Sequence, residues 1–127
     1  MKAPSLLPDA ADMLQQPGLK EIVRLAEAKL LFIKISGFYR SSDNQGSAYS
    51  DLENMVKKFA EEIPNQLIWA SDWPHTGNSK DRRGKETKVS EPFQKIDDMA
   101  VIKNIKEWVG DTVWQKMLVE TPSKMFA

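Results

Sequence analysis

The segment Ser71-Asp72-Trp73-Pro74-His75 carries the residue types best suited to chemistry in this sequence. It follows a short apolar run, and Pro74 stops a strand there because proline has no amide hydrogen to donate. In parallel α/β folds, functional side chains gather where strands end, since the backbone behind them is rigid. An aspartate has an unperturbed pKa of about 4, so Asp72 is expected to be ionised and able to bind a metal ion or accept a proton from water. The alternative is that Asp72 only caps a turn.

His75 is the single histidine of the chain. It could hydrogen-bond a substrate, or it could orient Asp72. A lone histidine is more often structural, so an ordinary loop histidine is the competing interpretation.

A second candidate group follows the earlier apolar run, in Lys34-Ile35-Ser36-Gly37-Phe38-Tyr39-Arg40. Arg40 lies just past the end of a predicted strand that would run parallel to the one before Asp72, so both side chains are expected at one mouth. A guanidinium is the side chain best shaped to bind a carboxylate through two hydrogen bonds. Ser36 and Tyr39 could add neutral hydrogen bonds. The alternative is that Arg40 is a solvated loop cation.

The elements that position these residues are predicted from the spacing of apolar residues. The pattern indicates a helix, a strand, a helix, a strand and two helices, at residues 18–28, 30–36, 52–63, 67–71, 99–109 and 113–118. Ser50 and Glu53 fit a capping box at the start of the third element. Gly110-Asp111 would separate the last two helices, and Thr121-Pro122 would start a short final turn.

This order predicts the α/β class, with parallel strands joined by right-handed crossovers in a single domain over 1–127. The apolar run at 30–36 suits a strand buried on both faces. Residues 41–50 and 74–96 are polar and predicted to be loops, and a loop as long as the second is usually functional or mobile. Two strands cannot cover themselves as a sheet, so further strands would come from residues 1–17 or from another chain.

Composition excludes several function classes. Lys and Arg total 18, as do Asp and Glu, so the formal net charge of zero gives no reason to expect nucleic acid or an anionic membrane as partner. The basic stretch at 80–88 contains no aromatic residue and is interpreted as a solvated loop. Cysteine is absent, and there is no phosphate-binding glycine loop or serine-hydrolase elbow. With no signal-peptide pattern or membrane span, a cytoplasmic protein is expected.

Three segments together resemble the amidohydrolase-2 family of TIM-barrel hydrolases. The segment 67–75 is similar to the family's last barrel strand. The segment 33–40 resembles the preceding strand in the branch that includes 2-pyrone-4,6-dicarboxylate hydrolase. The segment 114–126 resembles the closing helix, and the order and spacing of all three agree.

The resemblance implies a partial (β/α)-barrel made of the last two β/α units. It implies that Asp72 is a general base or metal ligand and that Arg40 binds a substrate carboxylate, with Ser36, Tyr39 and His75 nearby. The expected reaction is water-driven hydrolysis of a small carboxylated lactone or a related C–O or C–N bond.

The resemblance also implies a divalent metal such as zinc in complete family members, with a ligand set that is incomplete here because the histidines expected on the family's earlier strands are absent from this sequence. A catalytic zinc takes at least three protein ligands. The alternative is therefore a catalytically incomplete fragment, or a binding module, that needs self-association or a partner chain to complete the barrel.

Overall fold

The computed structural model describes residues 13–42, 44, 49–78 and 82–127. Two parallel strands, β1 (Ile33–Ile35) and β2 (Leu67–Trp69), form a sheet in which Ile33 pairs with Leu67 and Ile35 with Trp69. The described residues also form five α-helices: α1 (Leu19–Glu27), α2 (Phe38–Ser41), α3 (Glu53–Glu62), α4 (Asp98–Gln115) and α5 (Thr121–Met125). The predicted α/β class with parallel strands is thus confirmed. Most of the N-terminal stretch proposed as a source of further strands lies outside the described residues, and residues 13–15 form a 3-10 turn.

The first strand is shorter than predicted, because the backbone amide of Leu30 is used to close the C-terminal end of α1. Lys29 takes a left-handed conformation with φ 62°, its amide donates to the Ala26 carbonyl, and the Leu30 amide donates to Leu25. This pair of bonds is a Schellman motif, which satisfies carbonyls that the helix leaves free. Leu30 is 74% exposed as a result, so the prediction of a strand buried on both faces from residue 30 is wrong.

The predicted capping box before α3 is also wrong. A 3-10 turn at Ser50–Leu52 precedes the helix, and the cap position falls on Leu52, whose side chain makes no capping bond. Glu53 pairs instead with Lys57, one turn further along α3. The predicted loop at 41–50 is shortened at both ends, by α2 and by this turn.

The core is built from side chains of both strands, of α1, α3 and α4 and of the residues that follow α4, and its members are mostly aliphatic. Leu67, Ile105 and Met117 are fully buried there. Three tryptophans pack against it: Trp108 stacks on Phe38 at 6.0 Å between ring centroids, and Trp69 lies 6.5 Å from Trp114. Trp73 differs, since it is 76% exposed.

The C-terminal helices form one bent unit. Gly110 has φ 79° and ψ 164°, which interrupts α4 where the sequence predicted a boundary between two helices. A π-helical turn at Lys116–Glu120 leads directly into α5, which begins at Thr121 with Pro122 in its first turn. The buried Thr121 hydroxyl donates to the Asn65 carbonyl at 3.4 Å, which ties this end of the chain to the segment before β2.

The predicted long loop between β2 and α4 is observed, although residues 79–81 within it are not described. Arg82 donates to three carbonyls of the same loop, those of Glu86, Thr87 and Val89. The described part of the basic stretch is exposed, as expected for a solvated loop; Lys80 lies outside the described residues. None of the described helices is both long and apolar enough to cross a membrane.

Candidate functional site

An ion pair joins the ends of the two strands. Arg40 Nε lies 2.7 Å from Asp72 Oδ2, and their side chains are 37% and 30% exposed. The pair forms because β1 and β2 are parallel neighbours in register, so the residues that follow each strand emerge at the same edge of the sheet. The structure thus brings together the two residues that sequence spacing had assigned to one mouth.

The backbone has uncommon conformations on both sides of this ion pair. Asp72 itself has φ 64°, and the peptide bond between Trp73 and Pro74 is cis. Gly37, between β1 and α2, has φ 61°, and a Cβ atom there would lie 3.0 Å from Asp72 Oδ2. Glycine is therefore needed at this position both for its conformation and for the space that the carboxylate occupies.

We expect Gly37→Ala to destabilise the fold and to displace Asp72. The left-handed backbone alone should cost about 1–2 kcal/mol for an L-residue, and the contact with the carboxylate adds to this. Chemical denaturation should show the loss. Gly84→Ala is the matched control, because Gly84 has φ 82° but a Cβ there would meet no described residue within 4 Å apart from its own chain neighbours. Equal losses for the two variants would contradict a role for the Asp72 contact.

Two more side chains complete the hydrogen bonding of the pair. The Tyr39 hydroxyl donates to Asp72 Oδ2 at 3.0 Å, so one carboxylate oxygen accepts from both Tyr39 and Arg40. Arg40 Nη2 donates to Thr76 Oγ1 at 2.8 Å, and its guanidinium carbon lies 5.0 Å from the centroid of the Tyr39 ring. Arg40 is thus held by the residues that follow β2 as well as by its own neighbour.

These contacts shift the ionisation of all three groups. The hydrogen bond from Arg40 is the largest cause that lowers the pKa of Asp72; partial burial opposes it, and the Tyr39 hydroxyl lowers it further. The same bond raises the pKa of Arg40. Burial, followed by the bond to Asp72, raises the pKa of Tyr39. At neutral pH the site therefore holds a carboxylate, a guanidinium and a protonated phenol.

His75 lies within the fold and not beside the ion pair. Its side chain is 6% exposed, and its Nε2 is 2.9 Å from Asp98 Oδ2, at the start of α4. The other ring nitrogen, Nδ1, has no hydrogen-bond partner among the described residues. The ring therefore makes no hydrogen bond to Asp72; it meets the edge of Tyr39, with centroids 5.3 Å apart and planes at 79°.

Ser36 lines a small open depression beside the pair, together with Tyr39, Ser71, Ile96 and Asp98 among others. Its enclosed part measures about 10 Å³, roughly the room that one water molecule needs. The described residues therefore leave no enclosed space for a small molecule at this depression.

Sequence reasoning missed Thr76 and Asp98. Both were visible in principle: Thr76 directly follows His75, and Asp97-Asp98 precedes a strongly patterned helix. Two adjacent aspartates there exceed what one helix cap requires, which leaves one carboxylate for another partner. The identity of that partner depends on the path of the long loop.

The described residues do not fit a zinc site by themselves. No group of three histidine, cysteine, aspartate or glutamate side chains is arranged there to hold a metal ion. Asp72 Oδ2 is occupied by Arg40 and Tyr39, and His75 Nε2 is occupied by Asp98. The assignment of Asp72 as a metal ligand stays a prediction.

The relatives identified by comparison with known proteins are named for reactions of lactones. A family model described as "Amidohydrolase" matches residues 7–126. The chain is 29% identical over 118 residues to a 4-sulfomuconolactone hydrolase of Rhizobium radiobacter, which covers 92% of this chain and 35% of the relative. It is 34% identical over 62 residues to a protein of that name from Hydrogenophaga intermedia, covering 49% of this chain and 20% of the relative.

A D-galactarolactone isomerase of Agrobacterium fabrum is 24% identical over 111 residues, covering 87% of the chain and 34% of the relative. A crystal structure of an Agrobacterium tumefaciens protein in its apo form superposes with a TM-score of 0.65 at 24% identity, over 88% of this chain and 36% of that one. This structural similarity supports the α/β fold with parallel strands. The chain spans about a third of the length of the relatives that match most of it.

Proposed function

The chain belongs to the amidohydrolase family, and from that premise we propose that it forms the Arg40–Asp72 wall of an active site that hydrolyses small lactones bearing an acidic group. The similarity to proteins named for lactone hydrolysis and lactone isomerisation supports the lactone as substrate class. A carboxylated substrate, as in the pyrone-dicarboxylate branch, is the finer form of this proposal.

The ion pair at the strand ends is the observation that carries the proposal. Arg40 and Asp72 supply opposite charges at one partly exposed place. An acidic substrate needs a cation to bind it, and water needs a base to activate it. A structural salt bridge with both partners this exposed would contribute little to stability, which leaves a functional role as the better reason for the arrangement.

The proposed reaction uses the two charges in turn. The substrate carboxylate takes hydrogen bonds from Arg40 and so weakens the bond between Arg40 and Asp72. Asp72 then accepts a proton from water while the water oxygen bonds to the lactone carbonyl carbon. The ring C–O bond breaks, and the leaving ring oxygen takes the proton that Asp72 accepted from water, which restores the Asp72 carboxylate; the newly formed carboxylic acid then loses its own proton to the solvent. Tyr39 keeps Asp72 oriented through its hydroxyl.

The Arg40–Asp72 wall is one side of the proposed active site. We propose that the other side comes from the rest of a (β/α)-barrel, of which this chain holds the last two β/α units. The two-stranded sheet and the one-third coverage of the relatives support this. The same observations favour a second candidate function, a binding module that holds the acidic ligand but hydrolyses it only with another copy or a partner chain. A cytoplasmic location remains a prediction from the sequence.

At concentrations that allow a second copy to complete the site, we expect the purified chain to hydrolyse a carboxylated lactone faster than the buffer background and faster than the same lactone with the carboxylate replaced by its amide. Proton release at constant pH measures both rates. The physical reason is that only the carboxylate engages Arg40. If the two lactones reacted equally fast, the proposed recognition would be wrong.

The same assay separates the two candidate functions when the protein concentration is varied. A chain that is active alone has a specific activity that does not change with concentration. A chain completed by self-association becomes more active per molecule as concentration rises. Binding of the carboxylated lactone without turnover at any concentration would contradict hydrolysis by this chain and support the binding module.

A further inference from the structure

The pair of Asp98 and His75 lies outside the role assigned to Arg40 and Asp72. Asp98 Oδ2 is 2.9 Å from His75 Nε2, and the histidine ring is almost completely buried. Because Nδ1 has no partner among the described residues, Asp98 is the one polar anchor of the ring in that part of the chain. A carboxylate at Nε2 favours the tautomer with the proton on Nε2, and it fixes the orientation of the ring.

The contact between Asp98 and His75 is separate from the capping of α4. Asp97 performs the capping, since its Oδ1 accepts from the Ala100 amide at 3.0 Å. Asp98 is the first residue of the helix and directs its carboxylate to His75 instead. Two adjacent aspartates thus have different roles, so that replacing Asp97 provides a matched control for replacing Asp98.

A continuous set of contacts leads from Asp98 to the ion pair. The His75 ring meets Tyr39 edge-on at 5.3 Å, and the Tyr39 hydroxyl donates to Asp72 Oδ2 at 3.0 Å. On the backbone side, the His75 carbonyl accepts from the Gln94 amide at 2.6 Å, so His75 also joins the two ends of the long loop. The ring of His75 thus packs against Tyr39, the residue that donates one of the hydrogen bonds to Asp72.

We propose that Asp98 is a positioning residue that acts through His75 to hold Tyr39 against Asp72. It does not touch the substrate; it sets the tautomer and orientation of His75, whose ring supports the phenol. The effect on hydrolysis rests on the proposed function above, whereas the effect on the histidine does not.

The first arm of the test reads the histidine directly. The chain has a single histidine, so the nitrogen NMR spectrum of protein labelled with ¹⁵N-histidine reports His75 alone. We expect the parent to show the Nε2-protonated tautomer, and Asp98→Ala to show a mixture of both tautomers. Asp98→Ser is the second variant should alanine prevent folding. Asp98→Asn should restore the parent pattern, because its amide oxygen still accepts from Nε2.

Asp97→Ala is the control in this arm. It removes the cap of the same helix, so it should lower the melting temperature and leave the histidine spectrum unchanged. An Asp98→Ala spectrum equal to that of the parent would overturn the proposal. A spectrum changed to the same degree by Asp97→Ala would also overturn it, since the helix start would then be the cause.

The second arm measures hydrolysis of the carboxylated lactone. Asp98→Ala should lower kcat on the order of ten- to a hundred-fold, the usual scale for a misplaced catalytic group, with KM unchanged because Arg40 is intact. Asp98→Asn should recover most of kcat. An altered histidine spectrum with an unchanged kcat would refute the positioning role. Absence of turnover in the parent protein would contradict the proposed function alone. The NMR measurement would still decide whether Asp98 orients His75.

Discussion

Asp72→Asn is expected to lower kcat for a carboxylated lactone by about 10²- to 10⁴-fold, the usual contribution of a general base. Asparagine has nearly the same shape and still accepts hydrogen bonds from Tyr39 and Arg40, but its amide cannot take a proton from water. Because both partners of the ion pair are partly exposed, the melting temperature should change little. Steady-state kinetics and thermal unfolding measure the two effects.

Asp111→Asn is the control for this substitution. The Asp111 side chain is 90% exposed and forms an ion pair with the exposed Lys106 within the described part of the chain, so its replacement should leave kcat unchanged. An Asp72→Asn variant as fast as the parent would show that another group activates the water. A large fall in the melting temperature of Asp72→Asn would mean that Asp72 is needed for the stability of the fold, so that a fall in kcat could not be assigned to the loss of a general base.

Arg40→Met is expected to raise KM for the carboxylated lactone by roughly ten- to a hundred-fold, since a hydrogen bond to a charged group contributes about 1.5–3 kcal/mol. KM for the amide analogue should stay as it is, because that substrate offers no charge to the guanidinium. Arg40→Lys should lie between the parent and Arg40→Met: it keeps the positive charge but loses the two-pronged geometry that now spans Asp72 and Thr76.

The exposed Arg83 offers a matched control, and Arg83→Met should change KM for neither lactone. Equal increases in KM for the carboxylated lactone and its amide after Arg40→Met would contradict carboxylate recognition. In that case, Arg40 would serve to shape the site, through Asp72, and would not select the substrate.

The juxtaposition of Arg40 and Asp72 could be predicted from the sequence because it follows from a short-range rule. Each residue comes just after a strand, and neighbouring parallel strands end at the same edge of a sheet. The interruption at Gly110 is similar, because only local backbone conformation is involved. For such features the chain neighbours of a residue carry nearly all of the information.

Other local patterns were misread because two local structures competed for the same residues. Leu30 suits a buried strand, but the left-handed turn at Lys29 uses its amide to close α1. Ser50 and Glu53 match a capping box, but a 3-10 turn moves the cap to Leu52. In both places the pattern was real, and the backbone hydrogen bonds selected the other structure.

The sequence by itself determined the α/β class, the parallel strands and the two charged residues at their ends. The tertiary structure alone decided the surroundings of those residues. It brought Thr76 into hydrogen-bond contact with Arg40, and Asp98 into contact with the buried His75. The second pair is separated along the chain by a loop of more than twenty residues. The reason is physical: strand ends are positioned by periodic, local rules, whereas the partner of a buried polar group depends on the path that a long loop takes back to the fold.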